Sequence, residues 1–301
     1  MKILVLGGGD SPEREVSLRS AKAIAEAARS AGFEVIEKDP KDGLGYLDDL
    51  KDTMVFPILH GAGGEDGVLQ SELEKRGLPF LGSESRSSAD CFDKLTTRKI
   101  LEAAGVPMPA GDSVTKATYR NHPLAKSPHV LKVSRGGSSI GTLIVRDPAE
   151  VSDQAVDELF GLQPEAVIEQ LIEGTEITVP ILDKQALPVI EIVPPPDAEF
   201  DYENKYNGAT QEICPPVSVP RNLQEKAQDL AEKVHSTMGC RHLSRVDIMI
   251  DENGNLLVLE INTIPGLTNQ SLYPKSAAVA GYPMQDLVEQ FVNLVKRDFK
   301  L

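Results

Sequence analysis

The stretch Leu243-Ser-Arg-Val-Asp-Ile-Met-Ile-Asp-Glu-Asn-Gly-Asn-Leu-Leu-Val-Leu-Glu-Ile-Asn262 has the pattern of a β-hairpin. Two apolar runs, 246–250 and 256–261, flank the pair Asn253-Gly254. Asn-Gly readily supplies the positive φ angles of a type I′ turn, whose twist fits that of two antiparallel strands. We therefore predict two strands joined by a two-residue loop.

The register of this hairpin would gather four polar side chains on one face. Counting back from a two-residue loop sets Asp247 opposite Glu260 and Arg245 opposite Asn262, and residues two apart on a strand share a face. Two opposed carboxylates within apolar strands repel each other unless a cation lies between them. Oxygen ligands suit magnesium that bridges to phosphate, so we predict a metal site here. The alternative is a solvated face, which would not usually be confined to four positions.

The composition of the 301-residue chain limits the classes of function. A hydrophobic content of 41% with 26% charged residues is ordinary for a folded protein of two or three domains. The formal net charge of −15 argues against nucleic acid or an anionic membrane as a partner, so phosphate groups would need a local basic pocket. Three cysteines without a C-x-x-C motif, and no long apolar run, predict a soluble cytoplasmic protein.

The N-terminal part of the chain predicts an open α/β domain. Lys2–Leu6 reads as a buried strand that leads into three glycines, and residues 34–36 read as the next strand. Between them, Ser11 can cap a helix of residues 13–30 that has one apolar side. A strand, helix and strand in this order form a parallel βαβ unit. Glu13, at the start of the helix, can meet the amine of a ligand or simply complement the helix dipole.

A second glycine-rich loop follows the next predicted strand. Residues 54–59 are apolar and end in His60-Gly-Ala-Gly-Gly-Glu-Asp-Gly67. Open α/β sheets bind ligands at the carboxyl ends of their strands, so we predict that His60 is functional, although a lone histidine is often structural. Beyond this loop we predict a helix, a short strand and a domain boundary, at 68–76, 78–81 and 83–90.

A third glycine-rich loop has the residues to hold phosphate. Strand 130–133 contains Lys132 and leads into Ser134-Arg-Gly-Gly-Ser-Ser-Ile-Gly141, which strand 142–145 follows. The backbone N–H groups and hydroxyls of such a loop can cradle phosphates, and Lys132 adds positive charge. It is not a Walker A loop, because neither Lys-Ser nor Lys-Thr follows the last glycine and the next element is a strand. A flexible hairpin tip is the alternative.

Hydrophobic periodicity predicts the remaining elements. Helices are predicted at 94–104, 149–159, 223–238 and 284–296, and strands at 166–169, 176–182 and 187–193. Residues 195–215 lack either periodicity but contain Phe200-Asp-Tyr-Glu-Asn-Lys-Tyr206. A long loop within a compact domain is usually a lid or a disordered insertion, and the aromatic residues favour the lid, which we predict here. Residues 263–271 read as a second, shorter loop.

Short polar and glycine-rich motifs recur along the chain: Gly8-Gly-Asp-Ser-Pro-Glu-Arg-Glu-Val-Ser17, His60-Gly-Ala-Gly-Gly-Glu-Asp-Gly67, Phe92-Asp-Lys94, Gly137-Ser-Ser-Ile-Gly141, Asp201-Tyr-Glu-Asn-Lys-Tyr206, Arg245-Val-Asp247, Glu260-Ile-Asn-Thr-Ile-Pro-Gly266 and Ser271-Leu-Tyr-Pro274. In this order the motifs resemble those of the ATP-grasp enzymes, and most closely those of the D-alanine–D-alanine ligases. Each motif alone is moderately specific, whereas the ordered set is highly specific and covers nearly the whole chain.

The resemblance implies a mixed α/β (α+β) ATP-grasp fold with an N-terminal open α/β domain. The implied domains are a substrate domain at 1–88, a central ATP-grasp subdomain at 89–178, and a C-terminal subdomain with the lid and metal site at 179–301. The implied cofactors are ATP and two magnesium or manganese ions. The implied assembly is a homodimer without nucleic-acid or membrane partners.

The resemblance also implies the reaction. ATP would phosphorylate the carboxylate of a first D-alanine to give an acyl phosphate. The amine of a second D-alanine would attack this intermediate, and phosphate would leave from a tetrahedral species. The product, D-alanyl-D-alanine, is a precursor of peptidoglycan.

By motif position, the resemblance assigns roles to individual residues. The residues implied to bind ATP are Lys94, Lys132, Ser139, Glu169 and Glu176, with the lysines on the phosphates and the glutamates beside the adenosine. The implied metal ligands are Asp247, Glu260 and Asn262. The implied catalytic residues are Glu13 on the first ammonium, Ser138 and Tyr206 linked to it across the closed lid, and Arg245 on the oxyanion. The implied substrate-binding residues are His60, Lys205, Gly266 and Ser271.

The chain departs from the family pattern in two places. Many relatives have Lys-Pro where this chain has Lys132-Val133, and the segment before Tyr202 differs, so no aromatic residue is assigned to the adenine.

Three other functions remain as alternatives. One is a ligase that uses D-lactate or another acceptor, although Lys205-Tyr206 resembles the dipeptide-forming type. A second is an ATP-binding regulator without catalysis. A third, a nucleotide-dependent oxidoreductase, is weakened by Pro12, which replaces the third glycine of a dinucleotide fingerprint.

Overall fold

The computed structural model describes residues 1–137, 140–195 and 210–301, which contain three β-sheets. The first sheet is parallel, in the order β2-β1-β3. Its strands are β1 Lys2–Leu6, β2 Glu34–Lys38 and β3 Thr53–Pro57. Helix α1, Arg14–Ser30, connects β1 to β2 and buries its apolar side, so the predicted βαβ unit is confirmed.

The other two sheets are antiparallel. The second has the order β4-β7-β5-β6, with β4 Gly111–Thr115, β5 His129–Val133, β6 Thr142–Val145 and β7 Glu165–Gln170. The third has the order β11-β10-β8-β12-β13, with β9 paired to β8; its strands are β8 Gly174–Leu182, β9 Gln185–Ala186, β10 Ile190–Val193, β11 Gln211–Ile213, β12 Leu243–Asp251 and β13 Leu256–Asn262. The division into three domains stays a prediction, and its boundary at 178 falls inside β8.

Helices connect the strands and cover the sheets. After α1 they are α2 Val68–Lys75, α3 Ser85–Phe92, α4 Lys94–Ala103, α5 Lys116–Tyr119, α6 Asp153–Leu162, α7 Arg221–Thr237, α8 Leu272–Val279 and α9 Met284–Phe299. Short 3₁₀ turns form at Pro40–Asp42, Gly45–Asp49, Pro123–Lys126 and Pro148–Glu150. Among the described residues, no helix combines the length and apolar character that crossing a bilayer requires.

The C-terminal helix packs against the first sheet. Phe291 of α9 is fully buried in one cluster with Ile3, Ile24 and Phe56, and its ring meets Phe56 edge-on at a centroid distance of 6.4 Å. Tyr273 of α8 joins the same cluster and donates a hydrogen bond of 2.8 Å to the carbonyl of Ile181 in β8. Burial of these large side chains attaches the first sheet to the third.

The hairpin register is confirmed where it matters for the site. Asp247 pairs with Glu260, and Arg245 pairs with Asn262. Closer to the turn the register differs by one residue, because Ile250 pairs with Leu256. The predicted two-residue loop is therefore wrong.

Asp251 explains the different turn. Its Oδ1 accepts hydrogen bonds from the backbone N–H groups of Asn253 at 2.9 Å and Asn255 at 2.8 Å. The backbone N–H of Asp251 also bonds to the carbonyl of Asn255, which closes a three-residue loop. This side-chain bonding outweighs the Asn-Gly preference for a type I′ turn. An extra residue at Leu259, a β-bulge, then restores the predicted register beside Glu260.

Several predicted elements need correction. Residues 83–90 were predicted as a boundary segment, but helix α3 occupies most of it, and the strand predicted at 78–81 is a single bridge from Phe80 to Val55. The helix predicted at 149–159 begins at Asp153, because Ser152 caps it by accepting a hydrogen bond from the N–H of Ala155.

The start of α1 and three further elements also differ from the prediction. Ser11 does not cap α1; its hydroxyl donates to the carbonyl of His60 at 2.6 Å, and the helix begins at Arg14. Helix α8 and strands β4 and β11 were not predicted. Strand β11 lies within the predicted lid of 195–215, whereas residues 196–209 of that lid are outside the described residues.

A buried histidine joins the N-terminal region to α9. The N–H of Gly82 donates to Nδ1 of His242 at 3.0 Å, so the other ring nitrogen, 3.0 Å from a carboxylate oxygen of Asp298, carries the proton. Burial lowers the pKa of His242 to about 4. The pKa of His235, whose Nδ1 lies 2.7 Å from the hydroxyl of Ser244, is also lowered by burial to about 4.

We predict that His242 makes stability depend on pH. The folded-state pKa of about 4 is below the ordinary 6.5, so the unfolded chain binds more protons between these values. The stabilisation that neutral His242 gives to the folded state is therefore complete above pH 6.5 and is lost as the pH falls toward 4. Up to about 3 kcal/mol of unfolding free energy is involved. His242→Asn, which tolerates the positive φ of 66°, should flatten the pH slope of this free energy in urea titrations.

The matched control is His122→Asn, because His122 lies in a partly exposed turn. This variant should keep the slope of the unmodified protein between pH 4 and 6.5. Equal slopes for all three proteins would contradict a proton-linked role for His242.

Candidate active site

Two adjacent cavities contain all the predicted site residues that the structure describes. The larger, of about 540 Å³, is lined by Glu13, His60, Lys94, Glu169, Arg245, Glu260, Asn262, Gly266 and Ser271. The smaller, of about 180 Å³, is lined by Lys94, Lys132, Glu169, Glu176, Asp247 and Glu260. The remaining predicted residues, Ser138, Ser139, Lys205 and Tyr206, lie outside the described residues. Residues from distant parts of the sequence therefore converge on one cleft.

The N-terminal wall of the cleft carries Glu13 and His60, both buried. His60 follows β3 and lies 3.4 Å, through Nε2, from the hydroxyl of Ser20 in α1. Burial lowers the pKa of His60 to about 4, so its ring is neutral at pH 7. The same Ser20 hydroxyl accepts a hydrogen bond from the N–H of Leu267, which attaches the loop containing Gly266 to α1.

Glu65 is a buried carboxyl group that the sequence reasoning missed. One of its oxygens accepts a 2.6 Å hydrogen bond from the N–H of Gly61. A Cβ added to Gly61, which has a φ of 74°, would lie 2.7 Å from a carboxylate oxygen of Glu13, so both acids crowd this glycine. Burial, reinforced by the negative charge of Glu13, raises the pKa of Glu65 to about 8. The sequence did contain a signal for this residue, since Glu65 directly follows two glycines in the loop after His60.

Lys94 is fixed beside the third glycine-rich loop, residues 134–141. It is the first residue of α4, and Asp93 caps that helix by accepting hydrogen bonds from two backbone N–H groups. Asp93 also accepts hydrogen bonds from the hydroxyl of Ser134 at 2.9 Å and from Arg135 at 2.8 Å. The ammonium of Lys94 donates to the carbonyl of Gly136 at 2.7 Å, so the lysine and the loop form one unit.

Glu169 is the centre of a buried ion cluster. Its two oxygens lie 2.5 Å from the ammonium of Lys132 and 2.7 Å from the guanidinium of Arg98. Burial acts to raise the pKa of Glu169, but these two cations hold it below its usual range. Arg98, which the sequence did not suggest, also donates to the carbonyl of Pro109. Glu176 lines the same small cavity as Glu169.

The opposed carboxylates of the hairpin have different surroundings. Arg245 donates two hydrogen bonds to Asp247, at 2.9 and 2.8 Å, and the hydroxyl of Thr178 donates a third at 2.5 Å. Asp247 is 8% exposed, so the guanidinium supplies the cation that its burial requires. Oδ1 of Asn262 accepts from the N–H of Ile264 at 2.9 Å. Glu260 lies opposite Asp247 in the ladder and borders both cavities.

The metal site stays a prediction. Within residues 1–137, 140–195 and 210–301, no cluster of three or more His, Cys, Asp or Glu side chains has the arrangement of a metal site. The predicted ligand set has two carboxylates and a carboxamide, which is a hard-oxygen set that suits magnesium. A metal ion at Asp247 would have to share or replace the oxygens that Arg245 now contacts.

The opposite wall of the cleft comes from the start of α8. The hydroxyl of Ser271, the residue before this helix, accepts a hydrogen bond from the N–H of Thr268 at 3.1 Å. A Cβ at Gly266 would lie 2.9 Å from that hydroxyl, so a larger residue there would displace it. Lys275 pairs with Glu212 at 2.5 Å, and both line the cleft. The backbone N–H groups at the start of α8 favour an anionic group in this part of the cleft.

Comparison with known proteins identifies the family. The family profile described as the D-Ala-D-Ala ligase C-terminus matches residues 100–293. The D-alanine–D-alanine ligases of Mannheimia succiniciproducens and Actinobacillus succinogenes are 41% and 42% identical to this chain, and each match covers 97% of both proteins. The chain belongs to the D-alanine–D-alanine ligase family.

Solved structures of this family have the same fold. The D-alanine–D-alanine ligase of Bacillus anthracis complexed with ATP superimposes with a TM-score of 0.86 at 32% identity, covering 100% of this chain and 99% of that one. The VanG D-Ala:D-Ser ligase of Enterococcus faecalis gives 0.84 at 27% identity, covering 98% and 99%. The predicted ATP-grasp fold and the predicted family are therefore confirmed.

We predict that Arg98 contributes strongly to the stability of the fold through its contact with Glu169. Arg98→Met would leave buried Glu169 with a single cation, and breaking a buried ion pair from one side costs about 3–5 kcal/mol. Arg86→Met is the matched control, because its pair with Asp90 at 2.6 Å has an arginine that is 85% exposed. That control should change the unfolding free energy by less than about 1 kcal/mol. Denaturant titrations measure both, and equal effects would contradict the assignment.

Proposed function

We propose that this protein joins two D-alanine molecules into D-alanyl-D-alanine, with ATP converted to ADP and phosphate, for peptidoglycan precursor synthesis. The observation that carries the proposal is the convergence of Glu13, Lys94 and Arg245 on one cleft of a chain whose relatives are ligases over nearly its full length. The cleft pairs an acidic wall that suits an ammonium group with cationic residues that suit phosphate and carboxylate.

In the first step, the carboxylate of one D-alanine attacks the γ-phosphate of ATP. An oxygen–phosphorus bond forms, the bond to ADP breaks, and an acyl phosphate results. The adenosine would occupy the smaller cavity beside Glu176, and the phosphates would extend toward Lys132 and Lys94 at the border of the two cavities. Glu13 would hold the ammonium of this D-alanine, which keeps its carboxylate pointed at the phosphate.

In the second step, the amine of the other D-alanine attacks the acyl carbon. The oxygen of the tetrahedral intermediate becomes negative, and Arg245 is the cation proposed to stabilise it. Phosphate then leaves as the peptide bond forms. The start of α8 and Ser271 would receive the carboxylate of this second D-alanine. His60, held neutral by burial, would lie beside the first substrate without adding charge.

The ligands proposed for magnesium or manganese are Asp247, Glu260 and Asn262, supported by the opposed carboxylates and the hard-oxygen chemistry of the set. Such ions neutralise charge on phosphate during transfer. Ser138, Ser139, Lys205 and Tyr206 keep the roles that the resemblance implies. A closed lid, a homodimer and a cytoplasmic location likewise stay proposals.

The test is phosphate release from ATP with a panel of acceptors, with products identified by mass spectrometry. D-Alanine alone should give the homodipeptide, and L-alanine should give no product. D-Serine or D-lactate incorporated in preference to a second D-alanine would replace the proposal with a mixed ligase. Phosphate release without any condensed product would reject ligation.

We predict that Glu260→Gln nearly abolishes turnover and leaves the fold intact. The substitution keeps the side-chain volume but removes the charge, so the ion should bind far more weakly. Loss of even a supporting ligand contact costs 10–100-fold, so we expect turnover to fall at least about 100-fold. Glu252→Gln, on the exposed turn of the same hairpin, is the control and should match the unmodified enzyme. Near-normal turnover of Glu260→Gln across a magnesium titration would reject the metal assignment.

A further inference from the structure

Two of the three cysteines are in contact although they are far apart in sequence. Sγ of Cys91, in the last turn of α3, lies 3.7 Å from Sγ of Cys240, which follows α7. Both thiols are free and pack in one apolar cluster. Cys214, the third cysteine, lies apart from this pair, and its thiol bonds to Ser276. The reaction proposed above uses none of the three.

Hydrogen bonds hold the two segments at a fixed separation. The hydroxyl of Ser87 in α3 donates to the carbonyl of Gly239 at 2.8 Å. Arg241 donates to the hydroxyl of Ser83 at 3.1 Å through its N–H and to the carbonyl of Gly82 at 2.8 Å through Nε. A disulfide bond is about 2.05 Å long, so the two sulfurs need to approach by roughly 1.7 Å. Movement of the side chains and the end of α3 can supply this without separating the segments.

We propose that Cys91 and Cys240 are an oxidative modification site that closes reversibly into a disulfide and reduces the activity of the cleft. Cys240 is partly exposed, whereas Cys91 is 8% exposed and lines the cleft. The hydrogen bond with Cys240, together with burial, raises the pKa of the Cys91 thiol well above its usual value. Cys240 is therefore the thiol that meets an oxidant first.

Hydrogen peroxide can serve as the two-electron oxidant for this disulfide. The Cys240 thiol attacks hydrogen peroxide, which oxidises the sulfur to a sulfenic acid and releases one water. The Cys91 thiol then attacks that sulfur, the S–S bond forms, and a second water leaves. In total the two thiols lose two electrons and two protons, and the peroxide is reduced to two waters. A dithiol reductant reverses the reaction by thiol–disulfide exchange.

The position of Cys91 explains how the disulfide would reduce the activity of the cleft. It directly precedes Phe92, which lines the cleft, and Asp93, which caps α4 and holds the glycine-rich loop. Drawing Cys91 toward Cys240 would shift this junction and with it Lys94. A misplacement of about 1 Å in an active site can cost on the order of 100-fold in rate, so we expect a loss of at least about tenfold. This consequence rests on the proposed function, whereas disulfide formation does not.

The test treats the full-length protein with hydrogen peroxide, then counts free thiols and maps peptides without reduction. Trypsin should release residues 87–94 linked to residues 234–241. Two thiols should be lost, and turnover should fall and recover with dithiothreitol. Cys214→Ser should behave in the same way, whereas Cys240→Ser should give no linked peptide and keep its turnover.

Three results would overturn the proposal. They are a linked peptide that contains Cys214, oxidation that stops at sulfinic acid on Cys240, and three thiols that all survive peroxide. A linked peptide with unchanged turnover would overturn the effect on the cleft. If the reduced protein has no ligase activity, the thiol count and the linked peptide still test the modification site separately from the proposed function.

Discussion

The contact between Arg245 and Asp247 is the interaction on which the rest of the site depends. The antiparallel ladder sets Asp247 against Glu260, and two carboxylates in apolar strands are unfavourable without a cation. Because Arg245 is two residues before Asp247 on the same strand, its guanidinium reaches both carboxylate oxygens. The arginine therefore stabilises the folded hairpin and also lines the cleft, which Glu260 borders as well.

The other buried acids are stabilised in different ways. Glu169 stays ionised because Arg98 and Lys132 each contact one of its oxygens. Glu65 instead keeps its proton, since burial and its neighbour Glu13 raise its pKa to about 8. The larger cavity thus brings the acids Glu13 and Glu65 together with the cations Lys94 and Arg245. Such a site suits a substrate that carries an ammonium at one end and a carboxylate that is to be phosphorylated at the other.

The sequence predicted those parts of the fold and site that local patterns specify. The pairing of Asp247 with Glu260 was predicted by counting back from a two-residue Asn-Gly loop. It holds although the side chain of Asp251 makes the turn one residue longer, because a bulge at Leu259 restores the register. Helix α8 was missed because its apolar residues lack a clear helical stripe. Arg98 and the contact between Cys91 and Cys240 arise only from tertiary packing, which one sequence does not reveal.

An isotope measurement tests the central claim, that this cleft activates a carboxylate by phosphorylation. D-Alanine with ¹⁸O in both carboxylate oxygens is supplied with unlabelled ATP in unlabelled water. Attack of the carboxylate on the γ-phosphate, followed by amine attack on the acyl carbon, transfers one labelled oxygen to phosphate and leaves the other in the peptide carbonyl. Mass spectrometry should therefore find one ¹⁸O in each phosphate released. Phosphate without label, formed together with the dipeptide, would contradict an acyl-phosphate intermediate.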